Sequence, residues 1–269
     1  MRKMMQEGTR PKECEYCWKI EDMGKDADGN EPVSDRVYKT VIYEDRDLKH
    51  IATLDPNADV NLKTCEVAFD RTCQLACSYC NPAFSSTWVK DIRTNGGYQG
   101  IKSDARGHFI DDAPYAEPFD QGEENPYVTA FWKWWPELYK NLEVFRMTGG
   151  EPLMDSNTFK VLDYVYKNPN AWLEISVTSN MCPPKPKLMD MFIESLQRLE
   201  EIQIWEDPEK FNPNSGNNWY VAPACKNFAV FVSVDGFGSQ AEYMRNGMDF
   251  SVLQKNVLRK LAEFLKSEG

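Results

Sequence analysis

From Cys65 onward the chain alternates short apolar runs with longer stretches whose apolar residues return every three or four positions. Cys65–Asp70 predicts a short strand, and Ser85–Arg93 predicts a helix with Trp88, Val89 and Ile92 at helical spacing. Phe131–Tyr139 is aromatic and predicts a helix interrupted at Pro136. The pattern then becomes regular. Leu142–Met147 predicts a strand, and Asn157–Tyr166 a helix carrying Phe159, Leu162, Val165 and Tyr166 at core spacing. Leu173–Thr178, rich in β-branched residues, predicts a third strand, and Lys187–Leu199 an amphipathic helix. Phe228–Val234 is a nearly continuous apolar strand, followed by a helix over Phe250–Leu265. Strand–helix units with apolar strands predict an α/β fold, a parallel sheet covered by helices. Four such units are present from Cys65 onward.

The segments outside this alternation read differently. Residues 1–40 are polar and turn-rich, which predicts short helical turns and loop, and 41–64 lack clear periodicity and read as a lead-in. The expected organisation is an N-terminal extension over 1–60 and a core over 61–269. Residues 94–126 form a polar insertion rich in Gly, Asp and Pro. It is too long for an idle connection, so a functional or mobile loop is expected.

Charge and composition narrow the setting. The net charge of −11 repels phosphate backbones and disfavours binding of long nucleic acid. No apolar run approaches the roughly 18 residues of a membrane helix. The polar Met1–Arg10 lacks the apolar core of a signal peptide. A soluble cytoplasmic protein is expected, and there the 8 cysteines read as metal ligands or reactive thiols rather than disulfides.

Those cysteines carry the strongest chemical signal. Cys73-Gln-Leu-Ala-Cys77-Ser-Tyr-Cys80 places three thiols in one short loop. Thiolates are the usual ligands of iron–sulfur clusters, and three of them on a cubane leave one iron open for a substrate. The loop directly follows the first predicted strand, at the carboxyl end where α/β sheets place their ligands. Two other readings stay open here. The triad is part of a zinc site completed by Cys65, Cys182 or Cys225, or the cysteines are structural.

At these residues the chain resembles the radical S-adenosylmethionine superfamily. That family's cluster motif has three residues, then two, between its cysteines, with an aromatic before the last, where Tyr79 stands. The resemblance implies a partial parallel (β/α) barrel. It implies a [4Fe–4S] cluster on Cys73, Cys77 and Cys80, with S-adenosylmethionine chelating the fourth iron. One electron then cleaves the cofactor to a 5′-deoxyadenosyl radical that abstracts hydrogen from substrate. Thr148-Gly149-Gly150-Glu151-Pro152, at the second strand's end, resembles the family motif that contacts the methionine amino group. Glycines let backbone approach a ligand closely, and Glu151 offers a carboxylate to an ammonium. Ser179 and Asn180 after the third strand, and Ser233 and Asp235 after the fourth, resemble positions facing the cofactor or substrate.

The resemblance implies further features. Pro11–Glu21, with Cys14 and Cys17, resembles the segment preceding the barrel in enzymes with a twitch auxiliary region, so a second cluster or a zinc ion is expected there. The implied substrate is a peptide or small polar molecule, and the implied electron donor a reductase or a flavodoxin- or ferredoxin-type protein. Family cores usually have six units, with a glycine-rich adenine-binding motif after the fifth strand. Four units without that motif predict a fragment or a short member, whose last strand exposes an apolar edge unless residues 1–60 cover it. A non-catalytic zinc or iron–sulfur module and an electron carrier are the competing functions. The aromatic run Phe131–Trp135 reads as core rather than a stacking platform, and His50 and His108 lie outside every motif.

Overall fold

The computed structural model describes residues 1–40, 45–98, 124–200, 202–205 and 219–267. The chain divides into two compact units, Met1–Val60 and Asn61–Gly269.

The first unit contains α1 (Arg2–Gln6), α2 (Glu15–Glu21), α3 (Asp35–Thr40) and α4 (Asp45–Thr53). The α4 helix lies within the 41–64 segment read as a lead-in without clear periodicity. The carbonyls just past it find long-range donors that no local periodicity reveals. Gln6 Nε2 donates to the Leu54 carbonyl at 2.8 Å, and Arg2 Nη1 reaches the Pro56 carbonyl at 3.1 Å. Trp18 anchors α2. Its indole N–H donates to the Pro11 carbonyl at 2.9 Å, and the Arg10 and Arg36 guanidinium carbons lie 5.1 and 4.5 Å from its ring centre.

The second unit is α/β. Its strands are β1 (Thr64–Ala68), β2 (Ala76–Cys77), β3 (Val144–Thr148), β4 (Asn170–Ser179), β5 (Ile202–Trp205), β6 (Trp219–Ala222), β7 (Cys225–Val232) and β8 (Arg245–Asn246). Its helices are α5 (Ser86–Asn95), α6 (Pro126–Tyr139), α7 (Ser156–Lys167), α8 (Pro186–Glu200), α9 (Ser239–Met244) and α10 (Phe250–Ser267). The main sheet has the order β1-β3-β4-β7, and every pair in it is parallel. Those are the four strands the apolar runs predict. The short antiparallel pairs β5–β6 and β2–β8 were not legible in the pattern.

Register fixes which ends coincide. Val67, Met147, Val177 and Val230 form one row across the sheet. Residues just past that row on every strand therefore gather at one end.

Among the described residues, helices α6 and α8 pack on one face of this parallel sheet. In β3, Phe145 and Met147 are fully buried while Arg146 between them is exposed. Phe145 packs on Trp135 of α6, with ring centres 4.7 Å apart. Phe228, in the same register row, faces Phe192 of α8 at 6.3 Å. Burial of such side chains contributes about 1.5–3 kcal/mol each. The opposite face carries Glu66, Arg146, Ser176 and Ala229 in one row. Alternation of this kind marks a sheet with one face packed and the other polar.

The helices follow their apolar stripes. The α7 helix buries Thr158, Val161, Leu162 and Val165, and α8 buries Met189, Phe192, Ile193, Leu196 and Leu199. Side-chain oxygens of Ser85, Asn125 and Asp155 cap α5, α6 and α7. Contrary to the expected interruption, α6 runs through Pro136 to Tyr139. Burial of Trp135, Leu138 and Tyr139 against the core offsets the backbone hydrogen bond that proline cannot make. Residues 99–123, most of the polar insertion, lie outside the described residues, as does His108. Among the described residues, no helix is long and apolar enough to cross a membrane.

Candidate metal and cofactor site

The three-cysteine loop begins past β1 and is pinned on two sides. On one side it leans on the start of α5. The Ser85 hydroxyl donates to the Leu75 carbonyl at 2.6 Å, the Thr87 hydroxyl to the Cys73 carbonyl at 2.6 Å, and the Trp88 indole to the Cys77 carbonyl at 3.0 Å. On the other side it pairs as β2 with β8, and the Ser78 N–H donates to the Met244 carbonyl at 2.8 Å. A loop whose carbonyls and amides are held this way presents its side chains from a fixed frame.

Cys73 and Cys77 are buried and Cys80 is half-buried. Burial pushes all three thiols up, Cys73 to about 11, and the charge Cys77 would carry raises Cys73 and Cys80 further. Left alone, they stay protonated. A bound cation reverses that, because a coordinating thiol is deprotonated outright. Among the described residues, no three His, Cys, Asp or Glu side chains converge as ligands of one metal ion would. The ligands of a cubane face a common cluster but each binds a different iron, so their sulfurs stand farther apart than those around a single ion. Three thiols on one anchored loop suit that donor set.

Cys65 and Cys225 stand near the amino ends of β1 and β7, away from the loop. At about 3.3 Å per residue, Cys225 lies roughly 20 Å from the carboxyl end of its strand. Cys182 follows β4 at the loop's end of the sheet, buried, with its thiol pushed up to about 11 by burial. Cys14 and Cys17 belong to the first unit. Both are partly exposed, and Cys14 Sγ lies 3.8 Å from Met1 Sδ.

Gly149 and Gly150 make a close approach, and the backbone they meet is the chain's own. A Cβ on Gly149, whose φ is +124°, would lie 2.7 Å from the Asp70 carbonyl oxygen. One on Gly150 would lie 2.5 Å from the Arg71 carbonyl and would also meet Thr72. The Gly150 and Glu151 N–H groups donate to the Asp70 and Thr72 carbonyls at 3.1 and 2.8 Å. The glycines thus bring the end of β3 against the chain leading into Cys73. Pro152, buried, starts a single 3-10 turn over Pro152–Met154.

The Glu151 carboxylate, 2 % exposed, ties the ends of β3 and β4 together. Oε1 accepts from the Ser179 hydroxyl at 2.7 Å and the Leu153 N–H at 3.0 Å, and Oε2 accepts from the Asn180 N–H at 2.8 Å. Burial raises its carboxyl, while these bonds and the charge of Arg245 oppose the rise. A carboxylate has about four acceptor positions, so one remains on Oε2. Asn180 Oδ1 accepts from Gln74 Nε2 at 3.0 Å, and the same amide reaches the Cys182 carbonyl at 2.6 Å. Ser233 extends the ladder past β7, its N–H donating to the Ser179 carbonyl at 2.9 Å.

A second cluster surrounds Cys77. The Tyr79 hydroxyl donates to Asp235 Oδ2 at 2.7 Å, which with burial raises the phenol well above its usual range. Arg245, 8 % exposed, lies 2.6 Å through Nε from the same oxygen. That contact is an ion pair without the angle of a hydrogen bond, and Nε has no hydrogen-bond acceptor. Nη1 donates toward Cys77 Sγ at 3.9 Å, and the guanidinium carbon sits 5.5 Å from the Tyr79 ring centre.

The structure therefore brings Cys73, Cys77, Tyr79, Cys80, Gly149, Gly150, Glu151, Pro152, Ser179, Asn180, Ser233 and Asp235 to one end of the sheet. Gln74 and Arg245 complete the arrangement and were missed. Among 31 Lys and Arg residues, one arginine after a short helix carries no spacing signal. Comparison with family models, with curated proteins and with solved structures finds no match for this chain.

Proposed function

We propose that this chain is a radical S-adenosylmethionine enzyme of partial (β/α) barrel type. The observation that carries the reading is the gathering, at one end of a parallel sheet, of a three-cysteine loop and the ends of the next three strands. Cys73, Cys77 and Cys80 would hold a [4Fe–4S] cluster through three of its irons. When bound there, such a cluster would supply the electron for cleaving S-adenosylmethionine to methionine and a 5′-deoxyadenosyl radical, the species that would take hydrogen from substrate. Glu151 has an acceptor position left for an ammonium, and Ser179 and Asn180 hold its carboxylate in place. Tyr79 and Asp235 border the loop from the β7 side. The polar face with Glu66, Arg146 and Ser176 suits a peptide or small polar substrate better than a lipid. The electron donor is then a reductase or a flavodoxin- or ferredoxin-type protein.

A second reading has its own observation. The two glycines pack on the chain's own loop and Glu151 already has three donors, which equally suits a structural clamp around a cluster. The two readings part in one assay. Anaerobically reconstituted protein, reduced with dithionite in the presence of S-adenosylmethionine, is expected to form 5′-deoxyadenosine and methionine in equal amounts. A retained cluster that forms neither favours the non-catalytic module.

A further inference from the structure

Among the described residues, Arg245 is the buried cation that the proposed chemistry leaves without a task. Its place is set by backbone as well as by side chain. Arg245 and Cys77 are register partners in the β2–β8 pair, so the guanidinium is carried on the strand that pins the cysteine loop. Gly247 keeps that strand close, since a Cβ there would lie 3.1 Å from the Gln74 carbonyl oxygen. A guanidinium stays charged at every working pH, and burying one is costly unless anions surround it. Here one carboxylate, Asp235, stands at 2.6 Å, and the buried Nε has no acceptor. The other near group is the Cys77 sulfur. A metal-bound thiolate at Cys77 would add a further anion beside Asp235, while the charge of the buried Glu151 acts on Arg245 from outside hydrogen-bond range.

We propose that Arg245 is a positioning residue that holds the Cys77 sulfur and sets the reduction potential of the cluster bound there, with Asp235 as its counterweight. The inference rests on the cluster assignment above. Reduction adds one electron to the cluster, and no bond is made or broken. A fixed positive charge beside a ligand sulfur stabilises the more negative, reduced form and raises the potential. The Asp235 carboxylate offsets part of that charge and lowers it. The two residues therefore act with opposite signs on one quantity, through a distance at which charges in a partly dry site interact strongly.

The test is a mediated redox titration of the reconstituted full chain, followed by the electron paramagnetic resonance signal of the reduced cluster. Arg245→Gln is expected to shift the midpoint to more negative potential and Asp235→Asn to shift it to more positive potential. Arg245→Lys is expected to stay near the wild-type value. A merely structural role would move both variants the same way or not at all, and either result overturns the proposal. Should Arg245→Gln fail to fold, as seen in its thermal unfolding, Asp235→Asn and Arg245→Lys carry the same test. A wild-type chain that retains no cluster overturns the assignment and this inference together. A wild-type cluster with unmoved variants overturns the inference alone.

Discussion

Cys77→Ala is expected to cut the iron and sulfide retained after anaerobic reconstitution by at least tenfold, since loss of an outer-shell partner alone costs about 10–100-fold in metal affinity. The loop's backbone should survive the change. Its position depends on the β2–β8 pair and on the Trp88 indole bonded to the Cys77 carbonyl, neither of which needs the sulfur. Removing one buried sulfur atom costs on the order of 1 kcal/mol, so the metal-free variant should unfold near the wild-type temperature. Cys225→Ala is the informative control. Cys225 begins β7, at the far end of the sheet from the loop, and its loss should leave iron retention unchanged. Equal losses from both substitutions would favour a zinc site that draws on distant thiols.

Gly150→Ala is expected to lower the unfolding free energy by about 3 kcal/mol, the upper part of the range for overpacking. The added carbon would press on the Arg71 carbonyl at 2.5 Å and on Thr72, and these are backbone atoms that cannot swing aside. The chain leading into Cys73 must then move, so cluster retention should fall as well. For a unit of this size the cost corresponds to a drop of roughly 6–12 °C in unfolding temperature. Gly96→Ala separates contact from backbone strain. Gly96 has a positive φ, +84°, whereas Gly150 does not, and a Cβ at Gly96 meets nothing within 4 Å. With ψ at 164° it lies in a region only glycine populates, so its substitution should cost about 1–3 kcal/mol through backbone strain alone and leave cluster retention unchanged. Equal loss of cluster retention at both positions would mean that the close approach at Gly150 is not what matters.

The four parallel strands were legible because their apolar runs are bounded by helical stripes, and burial imposes that pattern directly. Phe145 and Ile175 lie within two of the predicted strands and are core in the structure. The polar face of the sheet was harder to see. Arg146 and Glu66 sit inside runs that look apolar, and only the register shows that they share a row. The β2 strand and its partner β8 are two-residue strands, too short for any period to register. The α4 helix was missed because Arg2 and Gln6 hold the end of it from far along the chain. At the site, Gly149 and Gly150 were readable as a close approach. The identity of the approaching backbone was not, because that depends on how β1 and β3 pair. Gln74 and Arg245 have no recurring neighbour pattern at all, and only three-dimensional proximity to Cys182 and Cys77 gives them a role.

The most direct measurement of the central claim is the electron paramagnetic resonance spectrum of the reconstituted, reduced chain with and without S-adenosylmethionine. An open iron held by Cys73, Cys77 and Cys80 predicts a [4Fe–4S]⁺ signal whose g values shift when the cofactor is added. A cluster signal that the cofactor leaves unchanged, or the absence of any cluster, would contradict it.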